Sequence, residues 1–321
     1  AGARPHRVKV SIGAAVFPAG GRTADELLSN SHIAFYRAKA IKRGGYVAFE
    51  NSIRQELETR LTLETELAHA VERGQFELFF QPQLHLGDTR LIGAEALIRW
   101  RHPVRGLLTP GDFMPIVNTS GLSDRIANWV LQTACRQARA WEEAGHPLRV
   151  GINLSPSQLQ SGDLARTVAE VLAATGVTPS LIELEVTEDI LLTDEQRVLD
   201  TFLRIQKLGV RLVFDDFGTG YASLSYLKKF PLDGLKIDRS FVRDLLTDSD
   251  DAAIVSSTIG LSKQLGLAVI AEGIETRATA DLLATMGCEE GQGYFFGKPM
   301  PVAALEEQFL ATRRAPEKML A

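Results

Sequence analysis

The sequence predicts an α/β fold in which most strands run parallel, and three observations carry that expectation. First, helical stretches ending in Gly are repeatedly followed by short β-branched runs. Gly145 precedes residues 149–153, Gly176 precedes 181–185, Gly209 precedes 210–215, Gly266 precedes 267–272, and Gly287 precedes Cys288. Glycine just past a helix end adopts the left-handed conformation at little cost. Second, the runs that follow are almost continuously apolar, as strands buried on both faces of a parallel sheet should be. Third, strand candidates begin near residues 77, 91, 149, 181, 211, 234, 267 and 290, a number that suits a closed barrel better than an open sheet. A doubly wound open sheet is the alternative.

Taken in order, the first 50 residues stand outside this rhythm. Residues 8–16 read as a strand, Thr23-Ala24-Asp25-Glu26 has the pattern of a capping box, and a helix over about 24–41 should follow, then a short strand near Tyr46. One such unit is too small to bury its own core, so it reads as the tail of a neighbouring domain. Residues 52–73 read as a charged helix with Leu at helical spacing, placed to link the two parts. The barrel's entry is then a hairpin. Runs 77–86 and 90–98 are separated by Gly87-Asp88-Thr89, too short a connector for anything but an antiparallel pair. The remaining connections are long enough for crossover helices.

Composition narrows the function classes. Of 321 residues, 45% are hydrophobic and 23% charged, values of a soluble globular chain that exclude wholesale disorder and fibrous repeats. The two cysteines, Cys135 and Cys288, offer no disulfide framework; a reducing compartment such as the cytoplasm fits best. No apolar run approaches the ~20 residues that span a bilayer. A formal net charge of −5 gives no bulk attraction for DNA or RNA polymers. The chain opens at Ala1 without an initiator Met or a signal-peptide pattern, so it reads as a fragment, and a membrane anchor could lie upstream.

What terminates each apolar run is more specific. Glu95, Asn153, Glu185, the pair Asp215-Asp216, Lys236 with Asp238, and Glu272 with Glu275 three residues later all sit at or just past run ends. In a parallel barrel those ends face one mouth. A single carboxylate after a strand is commonly the N-cap of the next helix. Several carboxylates converging on one small volume repel one another unless a cation joins them. The donors are carboxylates and an amide, without His or Cys, which selects Mg²⁺, Mn²⁺ or Ca²⁺ over Zn²⁺ or Cu²⁺. Adjacent Asp215 and Asp216 could let one carboxylate bridge two ions, the arrangement used for in-line phosphoester cleavage. Gly218-Thr219-Gly220 follows as a tightly turning loop, either a connector or a lid beside the metals.

These residues, in this order, resemble the EAL family of cyclic di-GMP phosphodiesterases. The matching blocks are Gln81-Pro82, Glu95-Ala96-Leu97, Asn153-Leu154-Ser155-Pro156, Glu185-Val186-Thr187-Glu188, Asp215-Asp216-Phe217-Gly218-Thr219-Gly220, Lys236-Ile237-Asp238-Arg239-Ser240-Phe241, Ala271-Glu272-Gly273-Ile274-Glu275-Thr276 and Gln292-Gly293-Tyr294. They cover about residues 60–312, leaving 313–321 as a tail. The resemblance implies a modified TIM (β/α)8 barrel with an antiparallel first strand, which the hairpin supports independently. It implies hydrolysis of cyclic di-GMP to linear pGpG with two ions, Mg²⁺ or Mn²⁺. Glu95, Asn153, Glu185 and Asp215 would hold one metal; Asp215, Asp216 and Glu272 would hold or support the second. Lys236 would assist the attacking water, Arg99 would meet a substrate phosphate, and Gln81, Glu275 and Gln292 would complete the substrate site. Glu188 would anchor the loop Gly218-Thr219-Gly220, which the family links to homodimerisation. Ala222, where a second Ser is usual, and Phe79-Phe80, where Tyr is common, depart mildly from the pattern.

The N-terminal piece resembles the last third of a GGDEF diguanylate cyclase domain through Val10-Ser11-Ile12-Gly13-Ala14 and the segment Ala34-Phe35-Tyr36-Arg37-Ala38-Lys39-Ala40, with Ser31-His32 replacing the usual Ala-Asp. The substrate-handling turn of that family does not occur in this chain, so cyclase activity is not expected from it. Residues 1–50 would be this fragment, 51–73 the helical linker, and further sensory domains would lie upstream. Two other readings meet the same carboxylates: a catalytically silent EAL module that senses cyclic di-GMP or binds a protein, and an unrelated metal-dependent barrel lyase or isomerase.

Overall fold

In the computed structural model, described over residues 9–41, 45–161, 163–191, 194–218 and 224–311, the chain divides into two units, Ala1–His69 and Ala70–Ala321. The first holds β1 (Ile12–Ala14) and β2 (Tyr46–Ala48), paired in parallel, with the helix Ala24–Ile41 between them. The expected capping box is present: Glu26 N–H donates to Thr23 Oγ1 at 3.2 Å, and Thr23 N–H donates back to Glu26 Oε2 at 3.3 Å. The expected strand is shorter than residues 8–16, and Val8 lies outside the described residues. The helix expected over 52–73 spans Asn51–Ala70.

The second unit is an eight-stranded closed barrel. Its strands are β3 (Phe76–His85), β4 (Leu91–His102), β6 (Arg149–Asn153), β7 (Ile182–Val186), β8 (Arg211–Phe217), β9 (Gly234–Ile237), β10 (Ala268–Ala271) and β11 (Glu290–Gln292). Between β4 and β6 in sequence, β5 (Gly106–Leu108) adds to the far end of β4. Pairing runs β3-β11-β10-β9-β8-β7-β6-β4, and a β3–β4 pairing closes the ring, which overturns the open-sheet alternative. β3 is antiparallel to both neighbours, and the other six pairings around the ring are parallel. All eight expected strands start within one residue of their expected positions. In the hairpin turn Thr89 takes the left-handed conformation, at φ 53.

Six crossover helices, from Ser123–Glu143 to Arg277–Met286, each precede a parallel strand. Gly176 and Gly266 cap two of them at φ 67 and 73, as the helix–Gly–strand rhythm predicts. Outward strand residues such as Ile152, Leu184 and Phe214 are buried, as are Phe202 and Ile205 on the helix Glu195–Lys207. The barrel interior is different. Alternation along β7 sends Ile182, Leu184 and Val186 one way and Glu183 and Glu185 the other, and both glutamates are buried. Polar side chains therefore fill positions that are usually apolar in such barrels.

Candidate active site

The C-terminal strand ends bring the expected residues together. Lys236 on β9 is 1% exposed, and its Nζ lies 2.7 Å from Glu272 Oε1, 3.0 Å from Glu185 Oε2, and 3.4 Å from both Glu95 Oε2 and Asp215 Oδ1. Asn153 at the end of β6 donates from Nδ2 to Glu95 Oε1 at 2.7 Å. Gln292 at the end of β11 donates from Nε2 to Glu95 Oε2 and to Glu272 Oε1, both at 2.8 Å. Glycines inside the strands make room for these long side chains. A Cβ on Gly151 would collide with Glu185 Oε1, the close approach that an interior strand glycine often marks.

Asp215 and Asp216 need a special device. Successive residues of a regular strand point to opposite faces, so adjacent aspartates should not share a site. Here β8 is irregular between Phe214 and Phe217, and Asp216 sits at φ 54. Asp tolerates the left-handed region better than most residues. The bulge re-aims the second carboxylate, and oxygens of Asp215, Asp216 and Glu272 lie within 4.8 Å of one another.

Four carboxylates around one ammonium leave a surplus of negative charge. Burial opposes the Lys236 charge, but Glu185, Glu272, Glu95 and Asp215 together hold its pKa well above the ordinary lysine value. Burial would raise Glu95 too, yet Lys236 and the amides of Gln292 and Asn153 bring it below the usual range. Glu272, Asp216 and Glu185 are not so compensated. Burial pushes Glu272 up to about 8 against the pull of Lys236, and Asp215 and Glu95 add to the rise. Burial and then the neighbouring Asp215 and Asp238 push Asp216 up to about 6. Glu185 is raised well above its ordinary value by burial and by Glu95, Asp215 and Glu272, against Lys236. Among the described residues neither Glu185 oxygen accepts a hydrogen bond, its ion pair with Lys236 aside. An acid surplus, the unused oxygens of buried Glu185 and a set of potential ligands made of carboxylates and amides fit a hard divalent cation.

Above this cluster opens a cavity of about 520 Å³ lined in part by Gln81, Asp215, Asp216, Glu272, Glu275 and Gln292. Lys236 and Glu185 lie buried beneath it. Gln81 Nε2 reaches Gly297 O at 3.5 Å. Arg99 does not line the cavity: it is buried, its Nη1 donates to Ile98 O at 2.9 Å, and its guanidinium lies 5.4 Å from the Phe79 ring centroid. Glu188 opens the short helix Glu188–Leu191, and among the described residues its Oε1 has no hydrogen-bond partner. Gly218 is at φ 100 against the Phe241 ring; Thr219 and Gly220 lie outside the described residues. Asp238 is also an N-cap, accepting from Ser240 N–H at 2.9 Å. It lines the cavity wall, as its place just past a strand end predicts, beside Arg239 and Tyr294, to which the sequence assigned no role.

Comparison with known proteins agrees with this geometry. Residues 64–299 match the EAL domain family. The chain is 42% identical over 307 residues to the bifunctional diguanylate cyclase/cyclic di-GMP phosphodiesterase MucR of Pseudomonas aeruginosa, covering 95% of this chain and 44% of that protein. It is 40% identical over 304 residues to the cyclic di-GMP phosphodiesterase NbdA of the same organism, covering 94% of this chain and 39% of that protein. The chain thus spans less than half the length of these curated relatives. The solved structure of the PaMucR phosphodiesterase in complex with c-di-GMP superposes with a TM-score of 0.73 at 43% identity, covering 76% of this chain and 99% of that one.

Proposed function

The chain belongs to the EAL domain family, and on that premise we propose that it is a metal-dependent phosphodiesterase that hydrolyses cyclic di-GMP to linear pGpG. The observation that carries the reading is the acid surplus: Glu95, Glu185, Asp215 and Glu272 all within 3.4 Å of a single Lys236 Nζ. On this reading Glu95, Asn153, Glu185 and Asp215 hold one ion, and Asp215, Asp216 and Glu272 hold the second. The oxygen-only donor set points to Mg²⁺ or Mn²⁺. When bound, the ions supply an activated water and neutralise charge on the phosphodiester.

The chain's own residues do the rest. Lys236 keeps its proton and donates toward the attacking water. Glu272 and Asp216 are raised toward the protonated form in the metal-free chain; in the loaded site they would be ionised and placed to take a proton at their carboxylate oxygens. Gln81, Glu275 and Gln292 position the dinucleotide, Gln292 beside a guanine, and Arg99 takes a phosphate after turning from Ile98 O. Glu188 anchors the loop Gly218-Thr219-Gly220, which couples the site to homodimerisation. Residues 1–50 are the C-terminal fragment of a GGDEF-like domain, 51–73 the helical linker, 60–312 the phosphodiesterase barrel and 313–321 a tail. The greater length of the curated relatives supports upstream sensory domains in the parent protein. The domain works in the cytoplasm; among the described residues no helix is long and apolar enough to cross a membrane.

The test is to incubate the purified chain with cyclic di-GMP and Mn²⁺ or Mg²⁺ and separate products by chromatography. pGpG is expected, and Glu95→Ala should lower turnover at least ~100-fold, more than outer-shell changes typically cost. Cyclic di-GMP binding without product in either metal would make the chain a sensor instead.

A further inference from the structure

We propose that Gln83 is a positioning residue for the metal-binding carboxylates Glu95 and Glu272, acting through the Gln292 amide. The proposal rests on the functional reading above. Gln83 is fully buried in β3, in register with Gly93 on β4 and Gln292 on β11. β3 is the strand inserted between these two, and from it Gln83 Nε2 donates to Gln292 Oε1 at 3.0 Å. Space for it is cleared on the opposite strand, where a Cβ on Gly93 would lie 2.9 Å from Gln83 Oε1.

The consequence is directional. Gln292 Nε2 donates to Glu95 Oε2 and Glu272 Oε1 at 2.8 Å each, so one amide ties together carboxylates from β4 and from beyond β10. An amide has two nearly isosteric ends, one donor and one acceptor. Flipped, Gln292 would turn its carbonyl oxygen onto two carboxylates. The Gln83 NH₂ opposes that flip, because it would then face another NH₂. Gln83 does not line the cavity, so it acts without touching substrate. It also keeps an orphan: among the described residues its own Oε1 has no hydrogen-bond partner. A buried amide with an unmet acceptor is a poor choice for stability alone, whereas outer residues that orient ligands commonly set metal affinity.

The test uses the full chain and Mn²⁺ alone, titrated by calorimetry, with melting followed in chelator. Gln83→Met and Gln83→Leu keep the volume and remove the amide. Both should weaken Mn²⁺ binding by ~10–100-fold with the metal-free melting temperature unchanged or raised. In a Gln292→Met background, Gln83→Met should add no more than about a twofold loss. Wild-type affinity in both Gln83 variants would overturn the proposal, as would an undiminished loss in the Gln292→Met background. If the wild-type chain binds no Mn²⁺, the functional reading falls and this proposal with it. If wild type binds and the Gln83 variants bind equally well, only the proposal falls.

Discussion

The two ends of the barrel handle buried charge in opposite ways. At the N-terminal end, fully buried Glu183 meets Arg149 Nη1 at 2.9 Å and Arg211 Nε at 2.7 Å, while Arg149 Nη2 meets Glu290 Oε2 at 2.7 Å. Two acids face two guanidiniums. Burial works against the Arg149 charge, but Glu183 and Glu290 hold its pKa above the ordinary value. At the C-terminal mouth, four acids face one lysine, and Asp216 adds a fifth carboxylate beside Asp215. One end is neutralised within the chain and serves the fold. The other is left short of positive charge, and protons or cations must supply it.

Breaking one end should therefore cost folding, and breaking the other should cost binding. The largest expected effect is at the closed end. Glu183→Ala leaves Arg149 and Arg211 facing each other with one counter-charge removed, and should destabilise the fold by ~3–5 kcal/mol while leaving Mn²⁺ affinity nearly unchanged. Urea unfolding and a metal titration on the same variant check both halves. Equal stability with altered affinity would erase the distinction between the ends.

The smaller effect is at the mouth. Asp215→Asn removes the carboxylate shared by both proposed metal positions and should lower Mn²⁺ affinity by ~100-fold, about 2.7 kcal/mol. It also removes a like charge from a crowded cluster, so the metal-free protein should melt no lower than wild type, the usual trade between a strained site and stability. A Tm drop as large as that of Glu183→Ala would mean that the mouth, too, is built for the fold.

The contrast also shows how far the residues alone could be read. The eight strands were legible because Gly caps such as Gly176 and Gly266 and apolar runs are local signals. The acids at strand ends were legible because a parallel barrel makes those ends converge. β5 was not, since three residues pairing with the end of β4 carry no periodicity of their own. Gln83 was not: alternation puts it on the face of Gln81, but the register that sets it beside Gly93 and Gln292 is fixed by contacts distant in sequence. Asp215-Asp216 was legible as a pair, but a regular strand would have split it across two faces; the bulge and the left-handed Asp216 appear only in three dimensions. The charge-balanced plug of Glu183 escaped for the same reason, its partners Arg149, Arg211 and Glu290 being strand starts spread over 141 positions.

The deficit of positive charge at the mouth is tested most directly by titrating the chain with Mn²⁺ at pH 6 and at pH 8. In the metal-free protein Asp216 is pushed up to about 6 and Glu272 up to about 8. Both folded values lie above the ordinary carboxylate range, so the folded chain holds protons there that the unfolded chain has released. Their contribution to metal-free stability should then be greatest on the acid side and be lost as pH rises through about 8. A cation must displace those protons. Two ions should bind per chain, at least ~10-fold more tightly at pH 8 than at pH 6, whereas an absence of binding, or affinity independent of pH, would mean that the mouth has no deficit for cations to fill.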